Sequence, residues 1–439
     1  ATTGTLAQAI AAATADALVT AGDTAAAWQA NPGDVRFAID LAAVPTVLPT
    51  RDEKALWFLV EPGIDGIVLK KGAQTGIVLP QEPVTQGFLT PRVRGRDGKF
   101  EAIVAEAAKR ANVGARDWRG DDVELLRFRT SSFGTATTGA STATDFVRGN
   151  VLMAGPPDEA RVLESLRIGG QWLVNTVMAD GKFDYEYFPN QDKGSTGYNI
   201  VRHAGSVYGL FEMYELALHE APLAADAPRY IDAASRAMGY IYDAIEVPKG
   251  DETGTRRCLI DSRRCESGSA ALTLLTFLVR PKRDALPAAY RDTIYRAGDE
   301  AIIEGLALTL TDMIDADGRV WATYSEAKTQ PKVKKEPLYY PGETMLALMR
   351  LHEATGDARW LEGARKIGTR QADGYDRNRF EFPDHWVMQA YDPLWKATKD
   401  DRFAQTAYTM ATHSVTEQYP TMWTPFEDYH GAWRRKDDL

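Results

Sequence analysis

From about residue 158 onward the apolar residues recur at helical spacing. Leu163, Leu166, Trp172, Leu173 and Val177 form one set, and Val207, Leu210, Phe211, Tyr214 and Leu218 the next. The pattern returns at 228–246, 267–280, 286–314, 342–354, 358–372, 384–398 and 401–418, with Gly and Pro mainly between the runs. The front of the chain has another texture. An Ala-rich helical stretch at 5–29 precedes short β-rich runs at 36–41, 55–61, 66–69 and 76–79. A helix is predicted over 100–111 and a strand over 123–130. Residues 131–143 are small and polar, and read as linker. The pattern predicts a small α+β domain at 1–136, a linker at 137–150 and an all-α domain at 151–439.

The helical part repeats itself. Residues 352–360 (His-Glu-Ala-Thr-Gly-Asp-Ala-Arg-Trp) are matched by 395–403 (Trp-Lys-Ala-Thr-Lys-Asp-Asp-Arg-Phe), one helix pair later. Tyr214-Glu215 followed by Arg229-Tyr230 is a looser copy. A loop led by Asp180-Gly181 reappears at Asp317-Gly318, with a weaker form at 377–382. Helical hairpins of this length stack as a solenoid or close into an α/α toroid. Solenoid turns are short and uniform. Here the turns on one side are long and aromatic (179–200, 316–340), which favours a toroid with one functional face.

Composition narrows the partners. The hydrophobic share is 44%, ample for a core, and excludes a disordered chain. The formal charge of -10 argues against nucleic acid, whose phosphates call for clustered Lys and Arg. The one basic run, Lys332 to Lys335, reads as a solvated loop. No apolar run approaches the roughly 20 residues of a membrane span. The chain begins at Ala1, so a removed signal peptide and a periplasmic or secreted location are expected, with the cytoplasm left open. Cys258 and Cys265 stand in a polar loop, either as a local disulfide or as two free thiols. Oligomeric state is not readable.

Four polar motifs stand just before inner-helix candidates. They are Tyr198-Asn199 with Arg202-His203, Cys265-Glu266 with Gly268, Tyr340 with Gly342-Glu343, and Asp384-His385-Trp386. In a closed ring these starts share one mouth. Each also has a structural reading: first-turn acids for Glu266 and Glu343, an N-cap for Asp384, core imidazoles for His203 and His385. The Asp-Gly loops add Phe183, Tyr185, Tyr187, Trp321 and Tyr324 as rings on which a sugar could stack. Asp184 lies between two of them, where a carboxyl pKa can rise.

Three chemistries fit. Glycoside hydrolysis takes two carboxylates from Asp184, Glu266, Glu343 and Asp384. β-Elimination from a uronate takes Arg202 or Asn199 as neutraliser, His203 or His385 as base and Tyr340 as acid. Epimerisation takes His203 and His385 on opposite faces of a sugar. Hydrolysis of a poly- or oligosaccharide is the leading expectation, with Asp184, Glu343, Asp384, His203 and His385 as catalytic candidates. Tyr185, Tyr198, Asn199, Arg202, Glu266, Trp321, Tyr340 and Trp386 are the substrate-binding candidates. A non-catalytic glycan-binding module is the rival from another class. There is no Gly-rich phosphate loop, nucleophile elbow or zinc motif, so no cofactor or metal is expected.

Two resemblances add to this. The runs 63–69 (Gly-Ile-Asp-Gly-Ile-Val-Leu) and 76–81 (Gly-Ile-Val-Leu-Pro-Gln), with Ala107, Lys109, Ala111, Asn112, Val113, Asp117-Trp118, 124–128 and Phe133-Gly134, resemble the AMME chromosomal region protein family. The resemblance covers the second half of that small α+β domain. That family's Arg-Gly-Cys-Ile-Gly signature is absent here, so no role tied to it carries over. Residues 150–435 resemble the α/α-toroid glycosidases, 2-epimerases and polysaccharide lyases in architecture, which implies a carbohydrate substrate.

Overall fold

The computed structural model describes residues 6–20, 38–52, 55–56, 59–61, 63–85, 100–114, 117–135, 142–148, 151, 158–188, 193–195, 197–331, 336–377 and 384–416. The weaker Asp-Gly copy at 378–382 and the basic run at 332–335 lie outside them. The chain forms two compact units, one built largely within 1–156 and the other largely within 157–419.

The first unit is an antiparallel sheet under a helix. Helix α1 spans Leu6–Thr20. The strands are β1 (Ala38–Ala42), β2 (Thr46–Val47), β3 (Asp65–Lys71), β4 (Gln74–Val78), β5 (Glu124–Gly134) and β6 (Thr144–Phe146). Strand β5 is the hub, pairing with β1, β2, β3 and β6, and β3 pairs in turn with β4. Helix α2 (Phe100–Arg110) buries Phe100, Ile103, Val104, Ala107 and Ala108 against Ile67, Leu69, Val78 and Leu125. It packs very close to β4, because a Cβ on Gly76 would lie 1.9 Å from the Ala107 carbonyl oxygen.

Two expectations are corrected here. Residues 131–134 are not linker: they continue β5 and pair with β1, and 144–146 add a further strand beside them. Small polar residues fit a strand paired on both sides as well as a loop. The predicted strand at 55–61 is helical where described. Asp52 Oδ1 accepts the Ala55 N–H at 2.9 Å, and the Leu56 and Val60 N–H groups bond back four residues.

The second unit is the helical-hairpin array of an α/α toroid. Its helices are α3 (Glu159–Thr176), α4 (Ile200–His219), α5 (Ala227–Ala244), α6 (Ser267–Val279), α7 (Asp299–Asp312), α8 (Tyr340–Thr355), α9 (Ala358–Arg377), α10 (His385–Thr398) and α11 (Asp401–Thr416). Alternate helices α4, α6, α8 and α10 pack on one another in that order and form the inner layer, with α3, α5, α7, α9 and α11 outside. The run 286–314 is therefore not one helix. Pro287 and Gly298 (φ 92°) break it, and α7 begins at Asp299.

Inner helices run parallel and nearly in register. A Cβ on Gly205, early in α4, would touch Leu272, early in α6, and Thr276 Oγ1 donates to the Ala204 carbonyl at 3.1 Å. A strand hairpin, β8 (Cys258–Asp261) and β9 (Arg264–Cys265), leads into α6, with β7 (Ile245–Glu246) pairing on β8. The two cysteines form a disulfide across it, Cα to Cα 5.7 Å.

The repeats acquire physical reasons. In both 43-residue copies (352 to 395) the inner helix ends on a residue in the left-handed region, Gly356 (φ 71°) or Lys399 (φ 57°). An Asp two residues before the Arg then accepts that Arg's N–H, Asp357 for Arg359 and Asp400 for Arg402. The ring that follows is buried in each, Trp360 and Phe403. Lysine is strained where the first copy has glycine. Lys399→Gly should raise stability by about 0.5–1 kcal/mol, measured by chemical denaturation.

The Asp-Gly loops are wedges. Gly181 (φ 84°) and Gly318 (φ 77°) each sit under an outer helix of the following hairpin. A Cβ would lie 2.4 Å from the Arg236 carbonyl oxygen of α5 in one and 2.2 Å from that of Lys366 on α9 in the other.

Candidate active site

Three inner helices bring polar side chains to one place. α6, α8 and α10 open at Ser267, Tyr340 and His385. Two glycines let the starts close in. A Cβ on Gly268 would lie 2.4 Å from the Tyr340 ring and 2.8 Å from Glu343 Oε2, and one on Gly342 would lie 2.6 Å from Asp384 Oδ2. Glu266, Tyr340, Glu343 and Asp384 thus form one cluster, with His385 and Trp386 following on α10.

The cluster is hydrogen-bonded in part. The Tyr340 hydroxyl donates to Glu266 Oε2 at 3.0 Å. Asp384 caps α10, its Oδ1 accepting the Trp386 N–H at 3.0 Å. Glu343 Oε2 is buried and has no hydrogen-bond partner among the described residues. His385 is exposed, with Nδ1 3.7 Å from Asp384 Oδ1.

The two acids are almost fully enclosed, Glu343 at 5% exposure and Asp384 at 4%. Burial, and then the nearby Asp384 charge, push the Glu343 carboxyl up to about 8. Burial pushes Asp384 up to about 7, although the N–H groups of Trp386 and Val387 pull it back. Both carboxyls are thus held well above the usual carboxylate range, an environment that suits acid–base work. Burial and the Glu266 carboxylate raise the Tyr340 phenol, so it keeps its proton. Burial lowers His385, leaving a neutral imidazole at pH 7.

The start of α4 makes a neighbouring pocket. Asn199 caps α4, its Oδ1 accepting the Arg202 N–H at 3.0 Å. The Arg202 guanidinium donates to the Tyr185 hydroxyl at 3.0 Å. Asp184 lines this pocket and is not among the groups in contact with the Glu343 cluster. His203 is at the pocket floor, 2% exposed, and both its ring nitrogens are engaged. Nδ1 meets the Tyr198 hydroxyl and Nε2 the Ala237 carbonyl. Burial pushes it down to about 4, so it is neutral, and neither nitrogen is left for a substrate.

Three aromatic candidates are not on a rim. Phe183, Trp321 and Tyr324 are buried, and Tyr324 donates to Asp312. Trp321 sits in the loop whose Ala322 carbonyl receives the Ser267 N–H, so it backs the start of α6. Among the described residues the exposed rings are Trp172, Tyr187, Tyr339 and Tyr408, and Tyr339 lies 6.0 Å from the His385 ring. Trp172, on α3, lines the α4 pocket and carries no signal in the sequence beyond helical spacing. Among the described residues no three His, Cys, Asp or Glu side chains gather as a metal site.

Comparison with known proteins divides along the chain. Residues 5–133 match the AMMECR1 family. The AMMECR1 match begins well before residue 63, where the legible motifs start, and ends before every residue of the acid cluster. No curated protein matches the chain. An uncharacterized Pyrococcus horikoshii protein aligns at 20% identity over 26% of this chain and 51% of its own, with a TM-score of 0.22. The chain spans about half the length of that protein. A family 76 α-mannanase from Bacteroides thetaiotaomicron aligns at 10% identity over 59% of this chain and 72% of its own, TM-score 0.38. Cellobiose 2-epimerase from Bacillus thermoamylovorans aligns at 12% identity over 63% and 77%, TM-score 0.42.

Proposed function

We propose that this protein is a carbohydrate-active enzyme that hydrolyses a glycosidic bond, with Glu343 as general acid and Asp384 as its carboxylate partner. The observation that supports this reading is the buried pair itself, two carboxyls brought together at adjacent inner-helix starts, each with an oxygen that has no hydrogen-bond partner among the described residues. Glu343 gives its proton to the leaving oxygen as the C–O bond breaks. Water adds at the anomeric carbon, and its proton passes to the carboxylate side of the pair. Tyr340, held by Glu266, and Trp386, in the first turn of α10, position the sugar. The disulfide hairpin before Glu266 fits an oxidising compartment, and so a periplasmic or secreted protein.

Elimination is the second reading, favoured by one observation: His385 is exposed, neutral and next to the pair. Incubation with a panel of neutral and acidic polysaccharides separates the two. Hydrolysis releases reducing ends with no new ultraviolet absorbance, and elimination adds the absorbance of an unsaturated uronate. Release of reducing ends without absorbance is expected. No release from any glycan would remove the enzyme reading.

A further inference from the structure

We infer that the pocket at the start of α4 holds an acidic sugar, its anionic group on Arg202 and its ring against Trp172 and Tyr185. The inference deepens the hydrolase reading and rests on it for what the bound sugar is part of. The pocket is a shallow cleft open to solvent, so a sugar ring would lie across its mouth, against Trp172 and Tyr185, rather than be enclosed. It lies on the same side of the helical unit as the acid pair, because α4 and α6 run parallel and in register.

Donors outnumber acceptors there. Among the described residues no carboxylate lies within ion-pair distance of Arg202, whose one side-chain bond is the donation to Tyr185. Most arginines of this unit are otherwise committed, as with Arg256 on Asp312 and Arg280 on Asp299. An arginine left open at a cavity mouth presents a planar fork that matches a carboxylate or sulfate. The Asn199 amide nitrogen and the Ser206 hydroxyl, both at the pocket, also lack partners among the described residues. Asp184 is the single carboxylate in the lining, suited to accept from a sugar hydroxyl.

The walls suit a pyranose. Trp172 is 49% exposed although it belongs to a helix, and Tyr185 lies under the Arg202 guanidinium at 5.4 Å. The floor is neutral, Tyr198 bonded to His203. A ring that stacks on apolar faces while presenting its charge to Arg202 satisfies both halves of the lining. The overall charge of -10 does not oppose this, since a guanidinium at this range outweighs distant charges screened by salt.

The test is binding, which needs no turnover. The full chain is titrated calorimetrically with glucuronate, galacturonate and glucose 6-sulfate, and with glucose and galactose as neutral counterparts. At least one acidic sugar should bind about tenfold tighter than its neutral counterpart. Arg202→Gln should erase that preference, and Trp172→Ala should weaken acidic and neutral sugars alike. A preference for the uronates assigns the anion as a carboxylate, and a preference for the 6-sulfate assigns it as a sulfate ester. Equal binding of acidic and neutral sugars, no binding of any, or a preference that survives Arg202→Gln overturns the inference. Preference retained by a chain that cleaves no glycan overturns the hydrolase reading alone.

Discussion

Glu343→Gln should lower turnover about a thousandfold and, at the same time, make the protein more stable at neutral and higher pH. The first effect is the loss of a positioned general acid. The second follows from linkage. In the folded chain Glu343 keeps its proton to about pH 8, against 4.5 as its ordinary value. Between those values the unfolded chain binds fewer protons than the folded one, so stability falls as pH rises. The contribution is complete below the ordinary glutamate range and is gone once pH passes about 8. Asp384 adds a similar loss that ends near pH 7. The glutamine side chain carries no such cost. Its gain at pH 8 should reach up to roughly 4 kcal/mol, shrinking to nothing near pH 4. Denaturant unfolding at pH 5 and pH 8 reads this directly. Parallel pH curves for the two proteins would refute it.

Gly318→Ala should be the most damaging single methyl in the helical unit. The new Cβ would meet the Lys366 carbonyl oxygen at 2.2 Å and its carbon at 2.6 Å, and both are helix backbone that cannot swing aside. The positive φ adds strain of about 1 kcal/mol. Together they should cost about 3 kcal/mol or more, a fall in Tm of roughly 6–12 °C for a unit of this size. Gly356→Ala is the control. Its φ is 71°, but nothing lies within 4 Å of the added carbon, so only the strain remains, about 1 kcal/mol. Equal losses in the two variants would show that the wedge is not tight.

Much of the architecture was legible because helical spacing persists over long runs, and the toroid followed from unequal turns. What failed was short or ambiguous. The apolar run at 55–61 has no period that separates strand from helix, and the deciding group, the Asp52 carboxylate, lies outside it. The candidate cluster was legible as helix starts rich in small and polar residues. Gly268 and Gly342 proved to be the reason, since they allow the acids to approach the neighbouring helices. Sequence alone did not separate the four starts into a three-helix acid cluster and a pocket on α4. Nor could it show that His203 is spent, because one of its partners is a backbone carbonyl 34 residues away. Trp172 was hidden for the opposite reason. It keeps the spacing of a core residue, and only its exposure marks it.

The Asp-Gly wedges bear on how the helical unit comes apart. Arrays of hairpins whose cohesion is purely between neighbours can unzip from one end, each repeat melting nearly on its own. Here the loop that leads into α4 is locked beneath α5, and the loop that leads toward α8 is locked beneath α9. Losing α5 or α9 therefore unseats the approach to its own inner helix, which ties each of these hairpins to the long loop that leads into it. The α8–α9 hairpin should therefore open together with its loop, and Glu343, carried on α8, leaves the acid pair in that same step.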